Sequence, residues 1–408
     1  VSEPGGHAAE KAAENPPPAL LSIEVTGPVE PMELNPFDFS KPASADELID
    51  RERDLDLLVR LAEGSSNSRL TAPRRYGKTT LLKRVRAEVE ALGMNTVYVN
   101  FFGLLSVTEA ADRIEDAYRK SLHGPVRNLA VGMIRTFRPT LKLPKAGVSL
   151  APAIETEVGR RLGWLLDLPL KIMERTGNPT LVVFDEFQDV LLTKPPLDGL
   201  IRSRLEQHED GASYIFAGSH PGMMRRLFGD RTRPFYGQAR AVRLGPLPDD
   251  ALGEYIGARF ARSGRDVGDI FEPLLETARG LPQRAMLLAH FLWERTPPGG
   301  ASDEDGWLRA LDDAYLELRD ELDSIWQGLA DAERRALAAI ARGPGLLTKK
   351  SVLEELQLAR STARDARDRL LEEGYVQGEG DELEIVDPLF ARWVASGRQG
   401  LVEQSAGR

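Results

Sequence analysis

Residues 67–86 read Asn67-Ser68-Arg69-Leu70-Thr71-Ala72-Pro73-Arg74-Arg75-Tyr76-Gly77-Lys78-Thr79-Thr80-Leu81-Leu82-Lys83-Arg84-Val85-Arg86, and the folding of this stretch decides the rest. A short strand-like run passes through a tight turn into a helix. From Ala72 to Thr80 the spacing is that of a P-loop closed by Gly77-Lys78-Thr79. The cradle is therefore expected to comprise Ala72, Pro73, Arg74, Arg75, Tyr76, Gly77, Lys78, Thr79 and Thr80. Consecutive backbone N–H groups would wrap a β-phosphate, and the helix starting near Lys78 would add about half a positive charge. Lys78 can reach the β and γ oxygens, while the Thr79 hydroxyl is placed to ligate Mg²⁺. Ala72 stands where such loops usually carry glycine, and its methyl group is tolerable only at negative φ. A basic strand-to-helix turn without a ligand is the plainer reading of the same residues.

Composition narrows the function classes. The 408 residues suffice for about three domains, and the 28% charged fraction is ordinary for a soluble protein. With no cysteine, disulfides, thiolate metal sites and cysteine nucleophiles are excluded together. No apolar run approaches the roughly 18 to 20 residues that span a bilayer, and no basic-then-apolar signal pattern opens the sequence; a cytoplasmic protein is expected. A net charge of -10 argues against coating nucleic acid by charge alone, though not against a local basic patch.

Residues 1–34, rich in Pro, Gly, Ala and Glu, read as a mobile leader. Asn35-Pro36-Phe37 begins an ordered segment leading to a helix with Asp50 as N-cap and Leu55, Leu57, Leu58 and Leu61 on its apolar face. Asn95 to Phe101 reads as a buried strand, followed by an amphipathic helix over 110–122. Residues 125–152 resist assignment, with alternation at Val148-Ser149-Leu150 compatible with small strands, and 154–175 carries a long helical pattern. Leu181-Val182-Val183-Phe184 is a fully buried strand ending in Asp185 and Glu186, at the edge where ligands sit in open α/β sheets. That is a Walker B arrangement, some hundred residues beyond Lys78. Asp185 would hold the Mg²⁺ shell, and Glu186 would orient the attacking water. A third strand, 213–220, ends in polar residues, of which Ser219 is placed to sense a γ-phosphate or the lytic water. Arg231, Arg233 and Arg240 lie in a basic, aromatic segment that either supplies a transition-state guanidinium or forms a solvated loop.

Together with Gly218-Ser219 and the later Gly280-Leu281-Pro282, these motifs resemble the AAA+-like, STAND-related ATPases of archaea and bacteria, including the archaeal-type ATPases and those of origin-recognition proteins; the resemblance covers about residues 35–395. It implies a P-loop NTPase parallel sheet with helices on both faces over 35–245, a helical lid over 246–325, a winged helix-turn-helix over 326–398 and a tail over 399–408. It also implies ATP or ADP with Mg²⁺ as cofactors. The Ile49-Asp50-Arg51-Glu52 segment would flank the adenine, Lys78 and Thr79 would hold phosphate and metal, Asp185 and Glu186 would form the Walker B pair, and Ser219 would stand at sensor 1. Ala72 and Ser219, the latter replacing a frequent asparagine, are both compatible with slow turnover.

The second half reads as helices. Gly280-Leu281-Pro282-Gln283-Arg284 resembles a lid motif with Arg284 as a candidate sensor 2 arginine. Helices over 331–342, 349–356 and 361–373 and a hairpin over 375–386 make a winged helix whose third helix carries Arg360, Arg364, Arg367 and Arg369. Residues 326–408 hold 12 Lys/Arg against 14 Asp/Glu, a weak balance for a DNA module, so a protein partner is the first expectation and DNA the second. The expected function is a slow, nucleotide-switched ATPase with the winged helix as read-out. An ATP-licensed DNA-binding or origin factor and a non-hydrolysing scaffold are alternatives, and a homo-oligomer is compatible with any of them.

Overall fold

Leu181-Val182-Val183-Phe184 has no polar face to offer water, and it takes the inside of a parallel sheet, every residue of the strand Thr180–Asp185 (β3) being buried. The computed structural model describes residues 34–137, 151–208 and 211–397, with the side chains of 151–156 left aside. Around β3 stand Ser68–Thr71 (β1), Asn95–Asn100 (β2), Ala212–Gly218 (β4) and Arg240–Arg243 (β5). All pair in parallel, in the order β2-β3-β4-β1-β5. Because successive strand residues face opposite ways, Leu181 and Val183 pack with Leu81, Leu82 and Val85 of the P-loop helix on one side. Val182 and Phe184 pack with Ile114, Leu162, Leu165 and Ile172 on the other. The expected α/β sheet with helices on both faces is what the chain forms.

The later helices are Asp249–Arg262, Phe271–Ala278, Pro282–Arg295, Glu304–Gly328, Asp331–Arg342, Lys350–Glu355 and Arg360–Glu373. An antiparallel hairpin, Val376–Glu379 (β6) and Glu382–Ile385 (β7), and a last helix Pro388–Ala395 follow. One core runs without a break from Leu247 to Val394 and takes in Phe37 from the far end of the chain.

Several local expectations are corrected. Asp50 is not the cap of the helix Glu52–Glu63: it adopts φ 42°, and Arg51 holds the N-cap position, its guanidinium turned to the Gly245 carbonyl at 2.5 Å. The pattern over 154–175 is two helices, Ala151–Leu166 and Leu168–Thr176, the second restarting with Pro169 in its first turn, where a missing N–H costs nothing. The basic segment ends in a strand, β5, because Ser68 to Thr71 leave an edge that Arg240 to Arg243 complete. Helices Gly124–Thr136, Asp198–Leu205 and Pro388–Ala395 had no assignment from sequence. The leader before Leu34, the strands at Val148–Leu150 and the tail over 399–408 lie outside the described residues. Among the described residues no helix is long and apolar enough to cross a membrane.

Candidate functional site

Strand β1 ends between β4 and β5, and Ala72 extends its ladder by donating its N–H to the Gly218 carbonyl at 3.3 Å. Ala72 is wholly buried and is not among the residues with positive φ, which is the condition its methyl group demands. The chain then turns through two left-handed residues, Arg75 at φ 74° and Gly77 at φ 80°. Gly77 is the N-cap of the helix Lys78–Ala91, so the N–H groups of the first turn, which no helical carbonyl can accept from, lie at a cavity lined by Gly77, Lys78, Thr79 and Thr80.

Because β4 lies between β1 and β3, three strand ends converge there. Lys78, buried to 7% exposure, places Nζ 2.8 Å from Asp185 Oδ1 and 2.8 Å from Glu186 Oε1. Asp185 Oδ2 accepts from the Tyr98 hydroxyl at 2.5 Å, and burial followed by this carboxylate's charge raises the phenol. Glu186 sits at φ 51°, a left-handed conformation that a carboxylate at a functional turn keeps only when its surroundings hold it. They do: Oε2 accepts from the Ser219 hydroxyl at 2.6 Å, the Ser219 N–H at 3.3 Å and Gln188 Nε2 at 2.7 Å. Burial alone would raise the Glu186 carboxyl, but the charge and hydrogen bond of Lys78, then Ser219 and Gln188, bring it down to about 2. His220, beside Ser219 and Gln188, is lowered by burial and then by the charge of Arg74, so the imidazole next to Glu186 is neutral near pH 7.

The cavity, about 620 Å³, is a volume suited to a small organic ligand, and its lining is polar on the P-loop side. Pro73, Arg74, Arg75, Gly77, Lys78, Thr79, Thr80, Glu186 and Ser219 contribute to it. Tyr76 and Ala72 instead turn into the core beneath. Ile49 lies outside the lining, packed against the core of the later helices; the opposite wall is the segment 38–43, with Pro282, Gln283 and Met286 of the helix Pro282–Arg295. That segment is fastened by Gln283 Nε2 donating to the Phe39 carbonyl at 3.2 Å and by Asn35 Nδ2 donating to the His290 carbonyl at 3.1 Å. Arg284 is likewise outside the lining. It has no exposed surface and is engaged by Asp387, Glu321 and Gln283. Arg233 is paired with Asp198 at 3.3 Å, Arg231 is exposed and Arg240 opens β5; none of the three lines the cavity. Sequence reasoning missed Tyr98, Gln188, Glu321, Asp387 and residues 38–43. No spacing pattern marks them, since, Gln188 excepted, they meet the site through strand register or through contacts at least 37 residues apart in the chain.

Compared by sequence, the chain matches no protein-family profile and no curated protein. Compared by structure, it is similar to the Walker-type ATPase of Pyrococcus abyssi, at 19% identity and a TM-score of 0.63 over 88% of this chain and 99% of that one. The chain has the fold of a P-loop ATPase. It is similar too to the ORC2 protein of Aeropyrum pernix, solved as ADPNP–ADP complexes, at 15% identity and a TM-score of 0.54 over 91% of this chain and 98% of that one.

Proposed function

We propose that the protein binds ATP with Mg²⁺ in this cavity, hydrolyses the β–γ bond slowly, and uses the nucleotide as a conformational switch read out by its C-terminal winged helix. The observation that carries the reading is Lys78 at 2.8 Å from both Asp185 and Glu186, at the mouth of a helix N-terminus. Two carboxylates alone would repel a polyphosphate, but with the lysine and the helix end between them the site can hold one.

Among the described residues no group of three or more His, Asp or Glu is placed to hold a metal ion. A hydroxyl and one carboxylate, Thr79 and Asp185, fit Mg²⁺, which keeps several waters and takes its other oxygens from phosphate. Bound there, the ion would neutralise developing charge on the phosphoryl oxygens. Glu186 is fully ionised at pH 7 and held by Ser219 and Gln188, which suits it to orienting a water in line rather than to taking its proton early. Lys78 stabilises charge on the phosphates, and Ser219, bonded to Glu186, senses whether a γ-phosphate is present.

For the read-out, Arg360, Arg364 and Arg369 are exposed on the third helix of the winged domain, but Arg367 is paired with Asp368 and Arg369 lies 3.6 Å from Glu333. This charge-balanced face favours a protein partner. The exposure of Arg360 and Arg364 also leaves DNA as a second reading, tested by a salt-dependent shift assay on Arg364→Ala, whose unchanged binding would exclude it. The main test compares fluorescent-nucleotide binding and phosphate release in native protein, Lys78→Ala and Glu186→Gln. Expected are lost binding in the first variant and retained binding without turnover in the second. Native phosphate release by Glu186→Gln would overturn the catalytic assignment.

A further inference from the structure

Where Arg75 and Glu321 line the cavity, the carboxylates of Glu321 and, behind the lining, Asp387 meet two arginines, and the two are not equivalent. Arg284, fully buried, donates Nε to Asp387 Oδ1 at 3.1 Å and Oδ2 at 3.0 Å, adds a further bond to Asp387 through Nη2, and reaches Glu321 Oε1 at 3.1 Å. Arg75 belongs to the P-loop turn, lines the cavity and is 28% exposed; its Nη1 donates to Asp387 Oδ2 at 3.0 Å and its Nη2 stands 2.5 Å from Glu321 Oε2. Asp387 is also the N-cap of the last helix, accepting from the N–H groups of Leu389 at 3.0 Å and Phe390 at 3.3 Å. Its position is therefore the position of the C-terminal segment. Arg284 rivets that segment to the helices Pro282–Arg295 and Glu304–Gly328, whereas Arg75 ties it to the phosphate cradle.

A second contact lies beside Ser219. A Cβ on Gly222 would come 2.4 Å from Glu372 Cα and 2.9 Å from its carbonyl oxygen, so the end of the helix Arg360–Glu373 rests directly on the backbone that follows β4. The C-terminal segment thus meets the cradle through Arg75 and the helix Pro221–Gly229 through Glu372, which also lies 3.7 Å from Arg226.

We propose that Arg75 is a latch operated by polyphosphate: paired with Glu321 and Asp387 it fastens the cradle to the C-terminal segment, and a nucleotide's phosphates compete for it and release that segment. The inference rests on the cavity being a nucleotide site. A guanidinium's fork fits carboxylate and phosphate oxygens alike, so the exchange needs no new geometry. Arg75 and Glu321 are both partly open to the cavity, and phosphate charge arriving there attracts the one and repels the other. Arg284 has no exposed surface through which to exchange, so the lid and the C-terminal segment leave together.

The absence of cysteine makes the test direct. Leu92→Cys, at the end of the P-loop helix and 56% exposed, and Lys350→Cys, on a C-terminal helix, take a donor and an acceptor fluorophore. Energy transfer is expected to fall when MgATP is added. In the same labelled chain, Arg75→Gln should start at the lowered value and respond little to MgATP. Gly222→Val, which touches no phosphate, should start lower while still binding a fluorescent ATP analogue. Native transfer in nucleotide-free Arg75→Gln would overturn the latch. So would unchanged transfer at MgATP concentrations where the analogue is bound. If the analogue does not bind the native chain at all, the nucleotide reading itself falls, and phosphate as the operator of the latch falls with it.

Discussion

Replacing Asp387 by alanine should cost far more than a surface carboxylate would. Its side chain accepts from a guanidinium with no exposed surface, from Arg75, and from two N–H groups of the helix it caps. Truncating one partner of a buried ion pair costs about 3–5 kcal/mol, because the other charge is left without compensation. Arg284 keeps Glu321 as a partner, which places the loss at the lower end, about 3 kcal/mol. The lost helix cap adds about 1 kcal/mol. Urea denaturation followed by tryptophan fluorescence reads the effect, since Trp326 and Trp393 stack edge-on at 5.9 Å within the same core. The single variant should lose about 4 kcal/mol of unfolding free energy. The double variant Arg284→Met with Asp387→Ala removes the stranded cation, and it should recover most of that loss. A single-variant loss under about 1.5 kcal/mol, or a double variant no better than the single, would show that the cluster is not held in the way described.

Three further outcomes follow from the site and its frame. The Glu186 carboxyl is depressed from 4.5 to about 2, so its contribution to stability is complete above pH 4.5 and is lost as pH falls towards 2; the gap between native and Glu186→Gln protein should narrow by about 3 kcal/mol over that window, and a constant gap would contradict the pairing with Lys78. Tyr98→Phe leaves shape intact but removes the donor to Asp185 Oδ2, and should destabilise by about 2 kcal/mol in the same urea assay; no change would mean that water serves Asp185 equally well. Gly280→Ala must hold a side chain at φ 70° with its Cβ 2.5 Å from the Leu247 carbonyl oxygen, and should cost at least about 2 kcal/mol, a neutral result being incompatible with this backbone path.

What could be read from sequence was local or periodic. The cradle announced itself because its glycine, lysine and threonine sit within three residues of one another, and β3 because four consecutive apolar residues end in two acids. The helix Asp331–Arg342 keeps the limits its pattern predicts. The far wall of the cavity was not legible, because Asp38 gives residues 38–41 a local turn but their placement comes from anchors at Lys83, Gln283 and His290. Tyr98 meets Asp185 only because β2 and β3 are in register, a relation no one-dimensional pattern encodes. Arg284 shows the opposite failure: its local context suggested a phosphate sensor, while Asp387, 103 residues further on, claims its guanidinium. Tertiary partners, not motif position, decide where a long cation points.

Phe37 lies 5.3 Å from the ring of Phe260, and its carbonyl accepts from His290 Nδ1 at 2.7 Å. The start of the folded unit is thus stapled to elements made more than two hundred residues later. A ribosome translating this chain releases the cradle early, and Lys83 of its helix can already hold the Pro42 and Ala43 carbonyls, but the anchors of Asn35 and Phe39 wait until the helix Pro282–Arg295 has emerged. During synthesis, the half-made protein therefore carries a phosphate turn without a closed chamber. The chamber proposed for a nucleotide is therefore complete only after Pro282, Gln283 and Met286 have left the exit tunnel.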